Sequence, residues 1–481
     1  MTILATSHQF STPSLAGDCC DVIVAGTGVI GLSVAWALLD RGLTVAVVGP
    51  RLGEHAGQAS RAAGAMLPVF SEIDAHHATE RSTIDTRERL AAHDAYPAWL
   101  ERLTTADGAA VTLNPGIWVV TEAGRTESLE AITAAADAAG HVAERYSGGE
   151  VPGLDPPVAS EALWLPTEAS IDSALLMTAL SDTVARHPCA CWYETDVISV
   201  DPDQRRVRCA DGTSLTGGEI VLAAGTAIPG LVWDQGRPWG IPAILAGRGV
   251  SLLLDAPAVR VPTAVRTPND GFACGVHLVP RASGQVYLGG TNRLDTSPDP
   301  NRRATVDELA SLTRDAVETL DQRVGSAEVI SSRVGMRPYC ADHRPLVGRT
   351  GHPHLLLATA TYRCGVLLAP HLAALLAQEI TEPGSLDEHP YRAQRDMPQP
   401  GIEHLLEANA AACAVEHLLR GGSLSPQATR ELTAWITVAL RAIHGDVEHP
   451  SVTAQRCLWD TAPVVEVIPS LLALADRMQP R

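Results

Sequence analysis

The sequence predicts an α/β fold joined to a mainly antiparallel β-sheet, with a helical extension at the C-terminal end. Three observations predict it. An apolar strand runs straight into a glycine trio and a helix at 21–49. Two later apolar strands, at 219–226 and 355–365, also end in small residues or glycine. Between them, from residue 109 to 291, much of the hydrophobic period switches from helical to alternating.

Asp21-Val-Ile-Val-Ala-Gly26 is a β-branched apolar run, the pattern of a strand buried on both faces. Gly26-Thr27-Gly28-Val29-Ile30-Gly31 opens a helix through Leu39, and Asp40-Arg41-Gly42 closes it before a second strand, Leu43–Val48. Gly26 suits the tight turn, Gly28 a close approach of pyrophosphate, and Gly31 the packing of helix on strand. The helix N-terminus at Val29 and Ile30 then offers unpaired N–H groups to phosphate. In a complete βαβ frame this reads as dinucleotide binding; the alternative is an ordinary glycine-rich turn. The second strand lacks the acid expected at its end for the ribose hydroxyls. Gly49, Pro50 and Arg51 stand there, and Glu54 is the nearest acid. Gly49→Glu is therefore expected to tighten the dinucleotide by about 1 kcal/mol.

The 481 residues allow two or three domains, and 36 basic against 55 acidic residues give a formal charge of −19. That excess of acid argues against nucleic acid and anionic membrane as partners. Lysine is absent, which excludes Schiff-base chemistry and lysine-dependent phosphate loops. Residues 1–18 have no signal-peptide pattern and read as a disordered leader; no apolar run reaches membrane-spanning length. The ten cysteines, with no CxxC pair, read as reduced thiols in a cytoplasmic protein. His76-His77 reads as solvated surface, and no metal is expected.

In order along the chain, Gln58–Pro68 carries Ala59, Ser60, Gly64, Ala65 and Met66. Such small residues allow a backbone to pass close to a planar cofactor, or two elements to touch. A helix is expected over Ile84–Leu103. Val111–Leu113 and Ile117–Val120 flank Asn114-Pro-Gly116, which reads as a hairpin. Helices follow over Glu127–Ala139 and Ile171–His187, then strands over Tyr193–Asp203 and Val207–Leu215. Glu219–Thr226 is a buried strand suited to lie beside the first, bringing Ala224 and Gly225 near the nucleotide. Gly275–Arg281 and Gln285–Thr291 form a second hairpin, with His277 and Val279 on one face. Val306–Leu320 is helical. Leu355–Ala360 is a strand that leads through Thr361-Tyr362-Arg363-Cys364-Gly365 into a helix over Val366–Ile380. A second helix N-terminus is thereby aimed at the same site. Past the proline-rich linker Pro383–Pro400, apolar residues at helical spacing mark three helices within 401–481. They suit packing on the body, pairing of subunits or covering of the site, and a homo-oligomer is expected.

Together these blocks resemble the D-amino-acid-oxidase-like flavoproteins, most closely the glycine oxidase branch. The carriers are the first βαβ unit, ASRAAGAML, VLAAGT, VHLVPRASGQVYLGGT, VGMRPYCADHRPLVG and TYRCGVLLAP, in that order over about residues 20–395. The resemblance implies a Rossmann-like FAD-binding domain (19–107, 166–232 and 326–395) interleaved with a substrate-binding domain (108–165 and 233–325). It places the substrate carboxylate on Arg337, with His277 at the position of an assisting tyrosine and Arg363 beside flavin and substrate. The backbone from Thr361 to Leu367 falls on the isoalloxazine segment, and Gly64, Ala65, Met66 and Val197 fall on other FAD contacts. Noncovalent FAD is expected, with Cys340 close to the position some relatives use for a covalent tether.

A guanidinium fork suits a carboxylate, and orienting the substrate is the main need for hydride transfer. His277 is expected either to donate as tyrosine would, titrating near neutrality, or to be a satisfied sheet histidine. The expected reaction is oxidation of the C–N bond of a small, glycine-like amino acid or amine to an imine. The hydride goes to flavin N5, and molecular oxygen is the expected acceptor. Two alternatives stay open: a biosynthetic flavin enzyme acting on an N–N or cyclic amine, and a flavin-bearing, non-catalytic assembly subunit.

Overall fold

The computed structural model describes residues 19–395 apart from 52–58, 74–79, 104, 123–125, 155–157, 233–240, 243, 270–273, 296–300, 302 and 341. The leader, His76-His77, Glu54 and the three tail helices lie outside the described residues. The chain divides into two compact units, 1–292 with 298–395, and 293–297 with 396–481.

The expected βαβ unit forms from β1 (Cys19–Ala25), α1 (Val29–Leu39) and β2 (Val45–Val48). Then come α2 (Ala59–Ala62), β3 (Met66–Leu67), α3 (Glu80–Leu100), β4 (Leu113–Thr121) and α4 (Glu127–Ala138). β5 (Glu144–Ser147), β6 (Glu161–Ile171) and α5 (Ser173–Arg186) follow. Next are β7 (Ala190–Tyr193), β8 (Val197–Asp201), β9 (Arg206–Cys209), β10 (Ser214–Leu222) and α6 (Ile228–Val232). β11 (Leu245–Asp255), β12 (Ala264–Arg266), β13 (His277–Pro280) and β14 (Val286–Gly289) continue the first unit. β15 (Arg293–Asp295) belongs to the second unit. The first unit closes with α7 (Val306–Thr319), β16 (Glu328–Tyr339), β17 (Leu346–Arg349), β18 (Leu355–Thr359) and α8 (Gly365–Thr381).

One sheet runs β17-β18-β10-β1-β2-β7, with β9 on β10 and β8 on β9. Its centre is parallel: β1 lies between β2 and β10, and β10 pairs with β18. Ala25 lies opposite Leu222, and Leu222 opposite Leu357, so the turns after β1, β10 and β18 share one edge. Ligands of open parallel sheets sit at that carboxyl edge. α1 is apolar all round and almost wholly buried, as a helix enclosed by a sheet and other helices must be. Leu32 and Leu38 of α1 share a core with Leu176 and Leu180 of α5 and Leu372 and Leu376 of α8.

The second sheet runs β11-β14-β13-β12-β4-β6-β3, with β16 on β11 and β5 on β6. It is antiparallel except where β12 meets β4. β6 and β16 both belong to it, so the segments expected as 166–232 and 326–395 each begin on or beside a strand of this sheet.

Two local expectations are corrected. Asn114-Pro-Gly116 is no hairpin turn: β4 continues through it along β6 with a register shift between Pro115 and Ile117. Gly116, at φ 82°, has its missing Cβ position filled by the Trp164 ring, so glycine makes an irregular step in a strand. Tyr193–Asp203 is not one strand, because β7 ends at Tyr193 to join β2 and the chain restarts as β8.

Glu88 of α3 clasps the end of the chain's first unit. Its Oε2 lies 2.8 Å from Nε2 of His371 and 3.3 Å from Nε2 of His389. The N–H of Tyr391 donates to Nδ1 of His389 at 3.1 Å, so the neutral ring carries its proton on Nε2, aimed at Glu88. The cluster is thus a tie between α3, α8 and the segment that follows α8. Among the described residues, no helix is long and apolar enough to cross a membrane.

Candidate active site

The dinucleotide turn leaves no room for side chains. A Cβ on Gly26, at φ 121°, would lie 2.4 Å from the Ala223 carbonyl oxygen; one on Gly31 would lie 2.0 Å from that of Gly26. Gly28 caps α1 without a side chain, and the Oγ of Ser60 accepts from the N–H of Val29 at 2.9 Å. Ser60 therefore completes the helix cap. Among the described residues nothing accepts from the N–H groups of Ile30 and Gly31, although both residues are buried. Buried N–H groups rarely go unpaired, so this pair fits a phosphate.

Gly49 corrects the ribose expectation. Its φ is 151°, and a Cβ there would lie 2.8 Å from Cγ2 and 2.9 Å from Oγ1 of Thr27. The strand end is already occupied: Thr27 donates to the Pro50 carbonyl at 2.8 Å, and Trp192 Nε1 donates to the Gly49 carbonyl at 3.0 Å. Gly49→Glu is therefore expected to weaken dinucleotide binding roughly tenfold, because a side chain forced into this backbone region costs about 1–3 kcal/mol. Titrating apoprotein with FAD reads this directly, and tighter binding by the variant would reject the steric account.

Val197 stands apart from the turn, with β9 and β10 between its strand and β1. It follows shortly after Tyr193, whose carbonyl accepts from Gly49 N–H at 3.1 Å. Gly225, at φ 59°, meets the Pro338 ring, with its would-be Cβ 3.9 Å from Cγ. The carbonyl of Pro338 accepts from Tyr362 N–H at 2.8 Å. The turns after β10 and β18 thus both dock on the Arg337-Pro338 step. Tyr362 (φ 50°), Ala360 (φ 58°) and Ala65 (φ 57°) are non-glycine residues in left-handed backbone, the kind of strain that clusters at functional sites.

β16 places Arg337 opposite Gly247 of β11. Gly249 has no space for a Cβ, which would fall 2.1 Å from Arg337 Nη1. Nη1 donates to the Thr291 carbonyl and to Asn292 Oδ1, both at 3.0 Å. Asn292 in turn donates from Nδ2 to the Tyr362 hydroxyl at 2.5 Å. Among the described residues no carboxylate pairs with Arg337, and nothing accepts from its Nε or Nη2.

His277 and Arg337 flank Gly290, whose missing Cβ position is 3.5 Å from His277 Cε1 and 3.3 Å from Arg337 Nη2. His277 Nδ1 lies 2.9 Å from the Gly275 carbonyl, which only accepts, so the ring proton is on Nδ1 and Nε2 is an acceptor. Burial, with the charges of Arg266 and Arg337, pulls its pKa down to about 3. That direction disfavours the charged ring, and with Nδ1 on the Gly275 carbonyl the geometry matches the alternative of a satisfied sheet histidine, whose Nε2 is left with a lone pair. Its ring stacks on Tyr287 at 5.7 Å.

Among the described residues Arg363, unlike Arg337, has an acid partner. Its Nε lies 2.9 Å from Glu72 Oε2, and its guanidinium covers the Tyr362 ring at 4.7 Å. Glu72 also accepts from Arg266 Nη1 at 2.7 Å and from Asn269 Nδ2 at 3.0 Å. Burial alone would raise the Glu72 pKa, but Arg363 and Arg266 hold it well below the usual carboxylate range. Glu72, Arg266, Asn269 and Asn292 escape sequence reasoning because they meet only in space. An arginine within the apolar strand Ala264–Arg266 was the available signal. Cys364, Val366 and Leu367 are buried at the start of α8, with Leu367 fully so.

A family model for FAD-dependent oxidoreductases, the DAO family, matches residues 21–379. The chain belongs to this family. This FAD-dependent oxidoreductase is 27% identical over 393 residues to the bifunctional protein ThiO/ThiG of Trichormus variabilis, covering 75% of the chain and 53% of that protein. It spans about half the length of such bifunctional relatives. It is 24% identical to the glycine oxidase of Bacillus licheniformis over 75% of the chain and 92% of that enzyme. Its fold is that of the glycine oxidase from Geobacillus kaustophilus: TM-score 0.68, 24% identity, 79% of the chain and all of that structure covered. FAD is the cofactor of this family, and the donor set at Ile30 and Gly31 fits its pyrophosphate.

Proposed function

We propose that this oxidoreductase converts the C–N bond of a small, glycine-like amino acid to an imine and passes the electrons to molecular oxygen. One observation carries the reading: the guanidinium of Arg337 is pinned through Nη1 and has no acid partner among the described residues. Its Nε and Nη2 form a two-pronged edge of the kind that grips a carboxylate. Bound FAD supplies a two-electron acceptor for the substrate's hydride. The chain's contribution is orientation: Arg337 fixes the carboxylate end, and Asn292 ties that arginine to Tyr362. Neutral His277 adds no further charge, and its Nε2 acceptor lies toward Gly64 and Gly289.

Noncovalent FAD belongs to the same proposal. Burial pushes the Cys340 thiol up to about 12, and its Sγ donates to the Arg344 carbonyl at 3.3 Å. A thiol so held is a poor nucleophile. The relatives named as glycine oxidases support a small amino acid as substrate. Anaerobic mixing with paired amino acids and their decarboxylated amines, followed at the flavin absorbance, tests the substrate class. Bleaching by the acids and not by the amines is expected; equal bleaching would remove the carboxylate assignment. Air admitted to the bleached enzyme then reports on oxygen as acceptor.

A further inference from the structure

The carbonyls of residues 61–65 are gripped one after another by donors from elsewhere in the second sheet and its flanks. Arg333 Nη1 donates to the Arg61 carbonyl at 2.8 Å. Tyr287 and Ser251 hydroxyls donate to that of Ala62 at 2.6 and 3.2 Å. Ser173 Oγ and Arg281 Nη2 share the Ala63 carbonyl, both at 3.1 Å. Arg281 Nη1 reaches the carbonyls of Gly64 and Ile171, both at 3.3 Å, and Ile171 N–H donates to that of Ala65 at 2.9 Å.

The acceptor side of this stretch is thus saturated while the donor side is not. Gly64 and Ala65 are buried, yet among the described residues nothing accepts from their N–H groups. Gly64 cannot be displaced toward the sheet, because a Cβ there would already lie 2.9 Å from both His277 Nε2 and Tyr287 Cε1. A chain segment whose carbonyls are all tied on one side presents its N–H groups as a fixed donor row.

We propose that Arg281 is a positioning residue for the cofactor, gathering the carbonyls of Ala63, Gly64 and Ile171 so that the Gly64 and Ala65 N–H groups face acceptor atoms of bound FAD. This rests on the FAD-site reading given above. Arg281 suits the task for three reasons. Its planar fork reaches three carbonyls at once. Its guanidinium lies 4.7 Å over the Tyr287 ring, which itself holds the Ala62 carbonyl. It also sits beside the hairpin turn between β13 and β14, so the turn fixes where its stem begins.

The test compares Arg281→Gln, Arg281→Lys and wild type as full-length apoprotein. FAD affinity is read by titration, and the bound flavin by its absorbance bands and two-electron potential. Arg281→Gln is expected to weaken FAD roughly tenfold or more and to shift the potential, while apoprotein circular dichroism stays that of wild type. Arg281→Lys, charged but lacking the fork, is expected to recover only part of the loss. Wild-type affinity, bands and potential in both variants would overturn the proposal. An apoprotein melt lowered in both variants, with unchanged affinity and potential, would also overturn it by making Arg281 a brace for the fold. Wild-type apoprotein that takes up no FAD would instead strike the cofactor reading beneath it.

Discussion

Replacing Arg337 with alanine is expected to weaken binding of the acid substrate by about 3–5 kcal/mol, or roughly 10²–10³-fold or more, with FAD content unchanged. The size follows from what is left behind: a substrate carboxylate in a site without lysine, with Arg363 already committed to Glu72. Arg337→Lys should recover part of this, because an ammonium supplies charge but not two parallel N–H donors. Rapid-reaction titration of flavin bleaching gives the binding constant apart from the chemical step. Full bleaching of Arg337→Ala at wild-type substrate concentrations would make this arginine structural.

Glu72→Ala carries the second large effect, on stability. Glu72 has 7% of its side chain exposed and faces Arg266, 1% exposed, and Arg363, 13% exposed. Removing the shared acid takes the counter-charge from two buried guanidinium groups, a change that costs about 3–5 kcal/mol where one partner of a buried pair is deleted. The urea midpoint of the apoprotein should fall accordingly. Glu72→Gln should fall less, since its amide oxygen can still accept from Arg266. An unchanged midpoint for Glu72→Ala would mean that the cluster relaxes into water at no cost.

Where the sequence spoke clearly, it did so through residues with one mechanical purpose. The glycines at 26, 28 and 31 follow one strand-turn-helix spacing, so they read correctly in isolation, although the carbonyl that excludes a side chain from Gly26 belongs to distant Ala223. The second hairpin was legible because alternation and the Ser283-Gly284 turn agree. Gly49 misled because an absent acid looks like a lost contact, whereas Thr27 fills the space an acid's Cβ would need. His277 stayed open in the sequence for another reason. Its residue type allows donor or acceptor, and only the Gly275 carbonyl decides between them. The ion cluster around Glu72 was illegible, since its members lie nearly 300 residues apart at the extremes, from Glu72 to Arg363.

The order of strands in the first sheet has a consequence for how the protein is made. β1 sits between β2 and β10, and β10 waits on its other side for β18. A ribosome delivers β1 and β2 first, β10 about 170 residues later by the numbering, and β18 only after residue 355. Until then the nascent chain carries largely apolar parallel strands that lack one of their neighbours, the kind that fold slowly and invite aggregation. Yield during expression should therefore respond to chaperone supply and slower synthesis before it responds to changes in the active site.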